Sequence, residues 1–154
     1  YPSEHYPTWR AELPAAELSW GVFGENLTTE GLLETDVHLG DRLQIGSAEL
    51  VVTQPRMPCF KLGLRFRRPD MVKRFLHSRR SGFYLAVLRE GEVGAGDAIH
   101  VVAREPQGVS IDALVGLYAD EAADLDVVQR ALESPALAAS WRDDLRKVLT
   151  AAGR

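Results

Sequence analysis

Arg42-Leu43-Gln44-Ile45-Gly46-Ser47-Ala48-Glu49-Leu50-Val51-Val52-Thr53-Gln54-Pro55-Arg56-Met57-Pro58-Cys59-Phe60-Lys61 holds two signals in one run. Arg42 to Ile45 alternates polar and apolar side chains, Gly46-Ser47 suits a two-residue type II′ turn, and Ala48 to Thr53 alternates again. The first half therefore reads as a β-hairpin. Its second strand runs into Pro55 and Pro58, which cannot donate to a ladder. The only cysteine of the chain should then sit on a stiffened loop at a strand end.

Moving outward, Asp36 to Ile45 resembles Glu92 to Val101: each is an acid-Val step, a Gly-Asp turn and an alternating strand. Two such corners predict one sheet closed on itself as a barrel. Phe83 to Leu88 is apolar throughout and reads as a strand buried on both faces. Pro69 to Leu76 fits a short helix with Met71, Val72, Phe75 and Leu76 inward. Upstream, Pro7 to Leu13 fits another short helix, and Gly21 to Thr29, with two glycines and Asn26, is a sharply turned loop.

After Pro106-Gln107-Gly108 the apolar period changes from two to nearly four. Ser110 and Asp124 each cap a helix; Ser134-Pro135 opens a third with Leu137, Trp141, Leu145 and Val148 inward and Gly153 past its end. The chain thus divides into a β-barrel over residues 1–105 and a three-helix segment over 106–154. The fold class is mainly β with α.

At 154 residues, 45% of them hydrophobic, the chain can bury a real core. It has no apolar run of membrane-spanning length and no basic-then-apolar leader, which predicts a cytoplasmic protein. A net charge of -4 argues against a nucleic-acid partner. The charge is uneven, however: Arg56 to Arg80 is rich in Arg and Lys against the single acid Asp70. Few aromatics interleave with these cations, so an RNA-binding patch is disfavoured. Neither a disulfide nor a zinc cluster can be built from one cysteine and the His spacing here.

Two readings of Cys59 stay open from the residues alone. It is either a buried, inert thiol or a functional one, because Arg56 and Lys61 favour the thiolate and the prolines hold the loop. A single soft thiolate serves metals that arrive with most of their own coordination.

Gly21-Val22-Phe23-Gly24-Glu25-Asn26-Leu27-Thr28, Gly40-Asp41, Gln54-Pro55-Arg56-Met57-Pro58-Cys59-Phe60-Lys61-Leu62-Gly63 and Ser81-Gly82-Phe83-Tyr84 together resemble the MOSC domain. Tyr1 to Tyr6 and the closing helices, with Ser134-Pro135-Ala136-Leu137 and Ser140-Trp141, are similar to its YiiM-like branch. The resemblance implies a mixed β-barrel that binds the molybdenum cofactor, molybdenum-molybdopterin. It implies Cys59 as the molybdenum ligand and reduction of N-hydroxylated bases such as 6-hydroxylaminopurine, with electrons from a separate redox protein. Carried onto this chain, Arg56 and Lys61 become candidates for the cofactor phosphate, and Asn26 and Thr28 for polar contacts to pterin or phosphate. His5 is the candidate proton donor or substrate contact; a histidine hydrogen-bonded within the entry segment is the competing reading. Glu25 is expected to be an acid satisfied by turn N–H groups. The resemblance also implies an N-terminal portion of the barrel outside this sequence. A non-catalytic cofactor or sulfur carrier, with Cys59 holding the cargo, is the alternative function.

Overall fold

The computed structural model describes residues 1–106, 108–120 and 123–152. The expected hairpin forms from β1 (Arg42–Ile45) and β2 (Ala48–Pro55), with Ile45 opposite Ala48. Gly46 takes φ 54° while Ser47 does not enter positive φ, the pattern of a type II′ turn, which L side chains resist at the first position. Contrary to expectation, Pro55 stays in the sheet, opposite Phe83 at the last rung of β2. β1 pairs with β2 only as far as Val51, so at Pro55 the strand has a neighbour on one side alone, and a ladder tolerates proline at such an edge.

β3 (Phe83–Arg89) and β4 (Ile99–Ala103) complete a four-stranded antiparallel sheet in the order β3-β2-β1-β4. The two corners of the internal repeat are built alike. Asp41 Oδ2 accepts the His38 N–H at 3.0 Å, Asp97 Oδ2 accepts the Gly94 N–H at 2.7 Å, and the strands that follow pair directly. The β-sheet and helical segment are as the sequence implies, but the barrel is not closed among the described residues. β3 and β4 lie at opposite ends of the sheet, each with one strand neighbour. The reading of β3 as buried on both faces is corrected for the same reason: Val87 is 59% and Leu88 52% exposed. An apolar run reports β propensity, not the presence of a covering layer.

Six helices accompany the sheet among the described residues. α1 (His5–Glu12), α2 (Phe60–Phe66) and α3 (Met71–His77) enclose an aromatic core containing Tyr6, Trp9, Phe23 and Phe75, all fully or almost fully buried. Each such side chain contributes on the order of 2–3 kcal/mol by leaving water. α2 is unexpected, since Phe60 to Phe66 shows no helical apolar period. It forms because Leu62 and Phe66, one turn apart, both pack into this core.

α4 (Ile111–Ala119) and α5 (Leu125–Glu133) start where expected: Ser110 Oγ accepts the Ala113 N–H at 3.1 Å, and Asp124 Oδ1 accepts the Asp126 N–H at 3.0 Å. α6 (Ala139–Ala152) begins one turn later than Ser134-Pro135 predicts. Leu137 is instead buried in a turn, which Arg142 fastens by donating to Leu132 O at 2.6 Å and Ser134 O at 2.7 Å. Gly153, expected past the end of this helix, lies outside the described residues. These helices share one core with the sheet: Val37, Leu43 and Val52 pack with Ile111, Leu114 and Trp141.

Candidate functional site

β2 delivers the chain to the site. The Arg56 N–H still donates to Gly82 O at 3.1 Å; Met57 and Pro58 then turn the chain. Cys59, with extended backbone at φ -127°, is the N-cap of α2, and its thiol is free and exposed. The buried-thiol reading therefore falls away.

Arg56 reaches the aromatic core. Its guanidinium carbon lies 5.2 Å from the Phe75 ring centre, and its Nη2 donates to Phe23 O. Its Nη1 is buried without a partner in the protein. Beside it is a cavity of about 230 Å³, whose lining includes Tyr1, Gly24, Asn26, Arg56, Gly82 and Tyr84.

Glu25 also lines this cavity. Its Oε1 accepts from the Gly21 N–H at 3.0 Å, the Thr28 hydroxyl at 3.3 Å and the Tyr6 hydroxyl, while its Oε2 is buried and unpartnered. Burial alone would raise the Glu25 carboxyl. The hydrogen bonds from Tyr6 and from backbone N–H groups outweigh it and hold the group below the usual carboxylate range. Burial, seconded by the Glu25 contact, pushes the Tyr6 phenol well up. The expected turn N–H partner of Glu25 is present, but one of its oxygens is left over.

His5 is engaged elsewhere. Its Nε2 lies 2.7 Å from Glu34 Oε2, and Glu34 Oε1 accepts the Gly82 N–H at 2.7 Å. His5 thus connects to the cavity wall through Glu34 and through an edge-on contact with the Tyr1 ring, the ring centres 5.4 Å apart. Glu34, 4% exposed, holds the cavity-wall residue Gly82, a role that the sequence does not reveal, because an isolated acid in a turn-rich stretch carries no periodic or motif signal.

Arg56 and Asn26 meet at one cavity. Thr28 lies outside its lining, with its hydroxyl given to Glu25. Lys61 is exposed in the first turn of α2, next to Cys59 rather than in the cavity. Among the described residues no cluster of three or more His, Cys, Asp or Glu could hold a metal ion. No helix there is long and apolar enough to cross a membrane.

Comparison with known proteins places this geometry in a family. The chain is 34% identical over 149 residues to protein YiiM of Escherichia coli, covering 96% of this chain and 66% of that one, just under two thirds of the relative's length. A crystal structure of YiiM from Geobacillus stearothermophilus superposes with a TM-score of 0.91 at 38% identity, covering 97% of this chain and 76% of that one. A protein named reductase from Gibberella moniliformis is 39% identical over 107 residues, 68% of this chain but only 19% of its own. The MOSC domain matches residues 1–100, and the YiiM-like 3-alpha helix domain matches residues 109–151. The chain belongs to the MOSC domain family, in which it carries the YiiM-like three-helix segment, and this membership supports a molybdenum-cofactor-binding domain.

Proposed function

We propose that the chain binds the molybdenum cofactor between Cys59 and the Arg56 cavity and serves the reduction of N-hydroxylated bases of the 6-hydroxylaminopurine type to amines. One N–O bond is broken, two electrons and two protons are taken up, and water leaves. The observation that carries this reading is the unpartnered, buried Nη1 of Arg56, three residues before a free, exposed thiol. A buried donor without an acceptor costs about 1–3 kcal/mol, and an anionic ligand oxygen would remove that cost.

The residues fit the group. Cys59 offers one soft ligand, Arg56 a pre-positioned cation, and Asn26 a side-chain amide on the cavity wall. Lys61 stands beside the thiol as a second cation, and Thr28 bears on the site through Glu25. When bound, the group would supply oxygen-atom and two-electron chemistry. The chain's own part is to fix the cofactor, shape the cavity and keep Glu25 and His5 hydrogen-bonded within reach of its walls. The reductase name of the fungal relative agrees with an oxidoreductase role.

The full-length protein, produced together with cofactor synthesis, is expected to carry molybdenum and pterin. It should reduce 6-hydroxylaminopurine with a low-potential donor, and Cys59→Ser should remove the turnover. Absence of both molybdenum and pterin would refute the proposal. The exposure of Cys59 favours one second reading, a carrier that hands its cargo to another protein. Bound molybdenum with no turnover under any donor would favour it.

A further inference from the structure

α2 has two faces of opposite character. Leu62 and Phe66 point into the aromatic core, while Phe60 and Leu64 stand 69% and 70% exposed on the same outer stripe, one turn apart. Large apolar side chains this exposed and this close together are uncommon unless something covers them. The cations around them are equally unusual. Elsewhere in the basic segment Arg68 is matched with Asp70, Arg74 and Arg80 with Glu12, and Arg79 with Asp112 and Asp120, whereas Arg56 is turned into the core and Lys73 stands exposed on α3. Lys61, Arg65 and Arg67, on α2 and its C-cap, are exposed and have no acid partner among the described residues. In a chain of net charge -4, three exposed cations without an acid partner among the described residues thus stand around one apolar pair.

That stripe begins at the residue after Cys59. An apolar centre with a rim of one charge sign is the pattern of a small, fast-exchanging interface, steered by charge and held by limited apolar contact. We propose that this face of α2 is the docking surface for an acidic one-electron carrier protein, delivering electrons one at a time beside Cys59. The proposal rests on the reductase reading above. Two such transfers, with two protons from solvent, balance the cleavage of one N–O bond. The rim selects for acidic partners and against basic ones, and Phe60 and Leu64 supply the contact that salt does not screen.

The test is a binding titration, which needs no turnover. Isotope-labelled full-length protein is titrated with a plant-type [2Fe–2S] ferredoxin, an acidic one-electron carrier, at low and high ionic strength, and amide signals are followed by NMR. The expected result is a salt-weakened complex whose perturbed amides centre on residues 60–67. Leu64→Asp with Arg65→Glu should weaken it about tenfold or more, while Arg146→Glu, which repeats the charge reversal of Arg65→Glu on α6, leaves it unaltered. These side chains are exposed, so unchanged thermal unfolding will show that the variants fold. The proposal is overturned if no complex forms, if the shifts map elsewhere, or if the double variant binds like the parent. It is also overturned if Phe60 and Leu64 of the full-length protein are shielded from hydroxyl-radical footprinting before any ferredoxin is added, whether by another segment or by a second copy. Molybdenum and pterin analysis reports separately on the cofactor, so failure of that reading and failure of the docking surface are distinguishable.

Discussion

Glu34 joins His5 to Gly82: one carboxylate oxygen lies 2.7 Å from His5 Nε2 and the other 2.7 Å from the Gly82 amide nitrogen. The carboxylate is nearly buried, so both contacts are made away from water, where an unpaired partner is most costly. Glu34→Ala would strand an amide N–H and an imidazole together. We expect a loss of about 2–4 kcal/mol, read by denaturant unfolding. His5→Gln keeps a side-chain donor toward Glu34 and should cost much less. If His5 also donates a proton during turnover, His5→Gln will lower kcat while leaving unfolding nearly unchanged.

Gly82 bears on the same relationship from the backbone. Its φ is 67°, and a Cβ added there would meet Tyr1 Cδ2 at 2.8 Å. Gly82→Ala therefore combines left-handed strain with a clash against a buried ring. It should destabilise the fold by about 1–3 kcal/mol and shift the cavity wall, seen as a lower Tm and a changed Tyr1 environment in near-ultraviolet circular dichroism.

Acid should act through Glu25. Although burial opposes it, hydrogen bonding from Tyr6 and backbone N–H groups leaves the folded carboxyl below its ordinary value of 4.5. Its contribution to stability is then complete above that value and is lost as the pH falls through the lower, folded one. Glu12, held down by Arg80 and Arg74 against its own burial, acts in the same window and direction. Glu25→Gln should flatten the fall in stability on the acid side, and an unchanged acid limb would contradict this account.

The parts of the fold legible in the sequence were those specified by local chemistry. Gly46-Ser47 admits one kind of hairpin turn, and Ser110 and Asp124 provide the side-chain oxygens that helix starts require. Burial and partnership were not local. Phe83 to Leu88 has the composition of a covered strand, but whether a layer covers it depends on what lies across the sheet. Phe60-Lys61-Leu62-Gly63-Leu64-Arg65-Phe66 alternates almost like a strand, and only the aromatic core beneath it selects the helix through Leu62 and Phe66. At the candidate site, Cys59, Arg56 and Asn26 are candidates that the sequence offers because a motif carries them. The leftover oxygen of Glu25 and the bridge at Glu34 arise from residues brought together across the chain, and no spacing rule reaches them.

Cys59 is exposed, makes no packing contribution of note and caps α2 without a side-chain hydrogen bond. Cys59→Ser should accordingly leave the Tm within about 2 °C, since surface changes of this kind lie within about 0.5 kcal/mol. Bound molybdenum should nevertheless fall to background. Retention of molybdenum by this variant would move the metal ligand elsewhere.

Arg56 separates charge from geometry. Its planar guanidinium lies over Phe75, gives Nη2 to Phe23 O and keeps Nη1 buried and free. Lysine preserves the positive charge but cannot keep one donor on the carbonyl while presenting another in a fixed fork. If Arg56 serves only the fold, Arg56→Lys and Arg56→Ala should differ in stability and cofactor content in the same proportion. If it also meets the cofactor's anionic group, Arg56→Lys will keep most of the stability lost in Arg56→Ala, where about 1–3 kcal/mol is expected from the broken contacts. Its pterin content will still fall about tenfold or more, because the fork rather than the charge is what the site supplies. Unfolding and pterin fluorescence measured on the same two preparations decide between these outcomes.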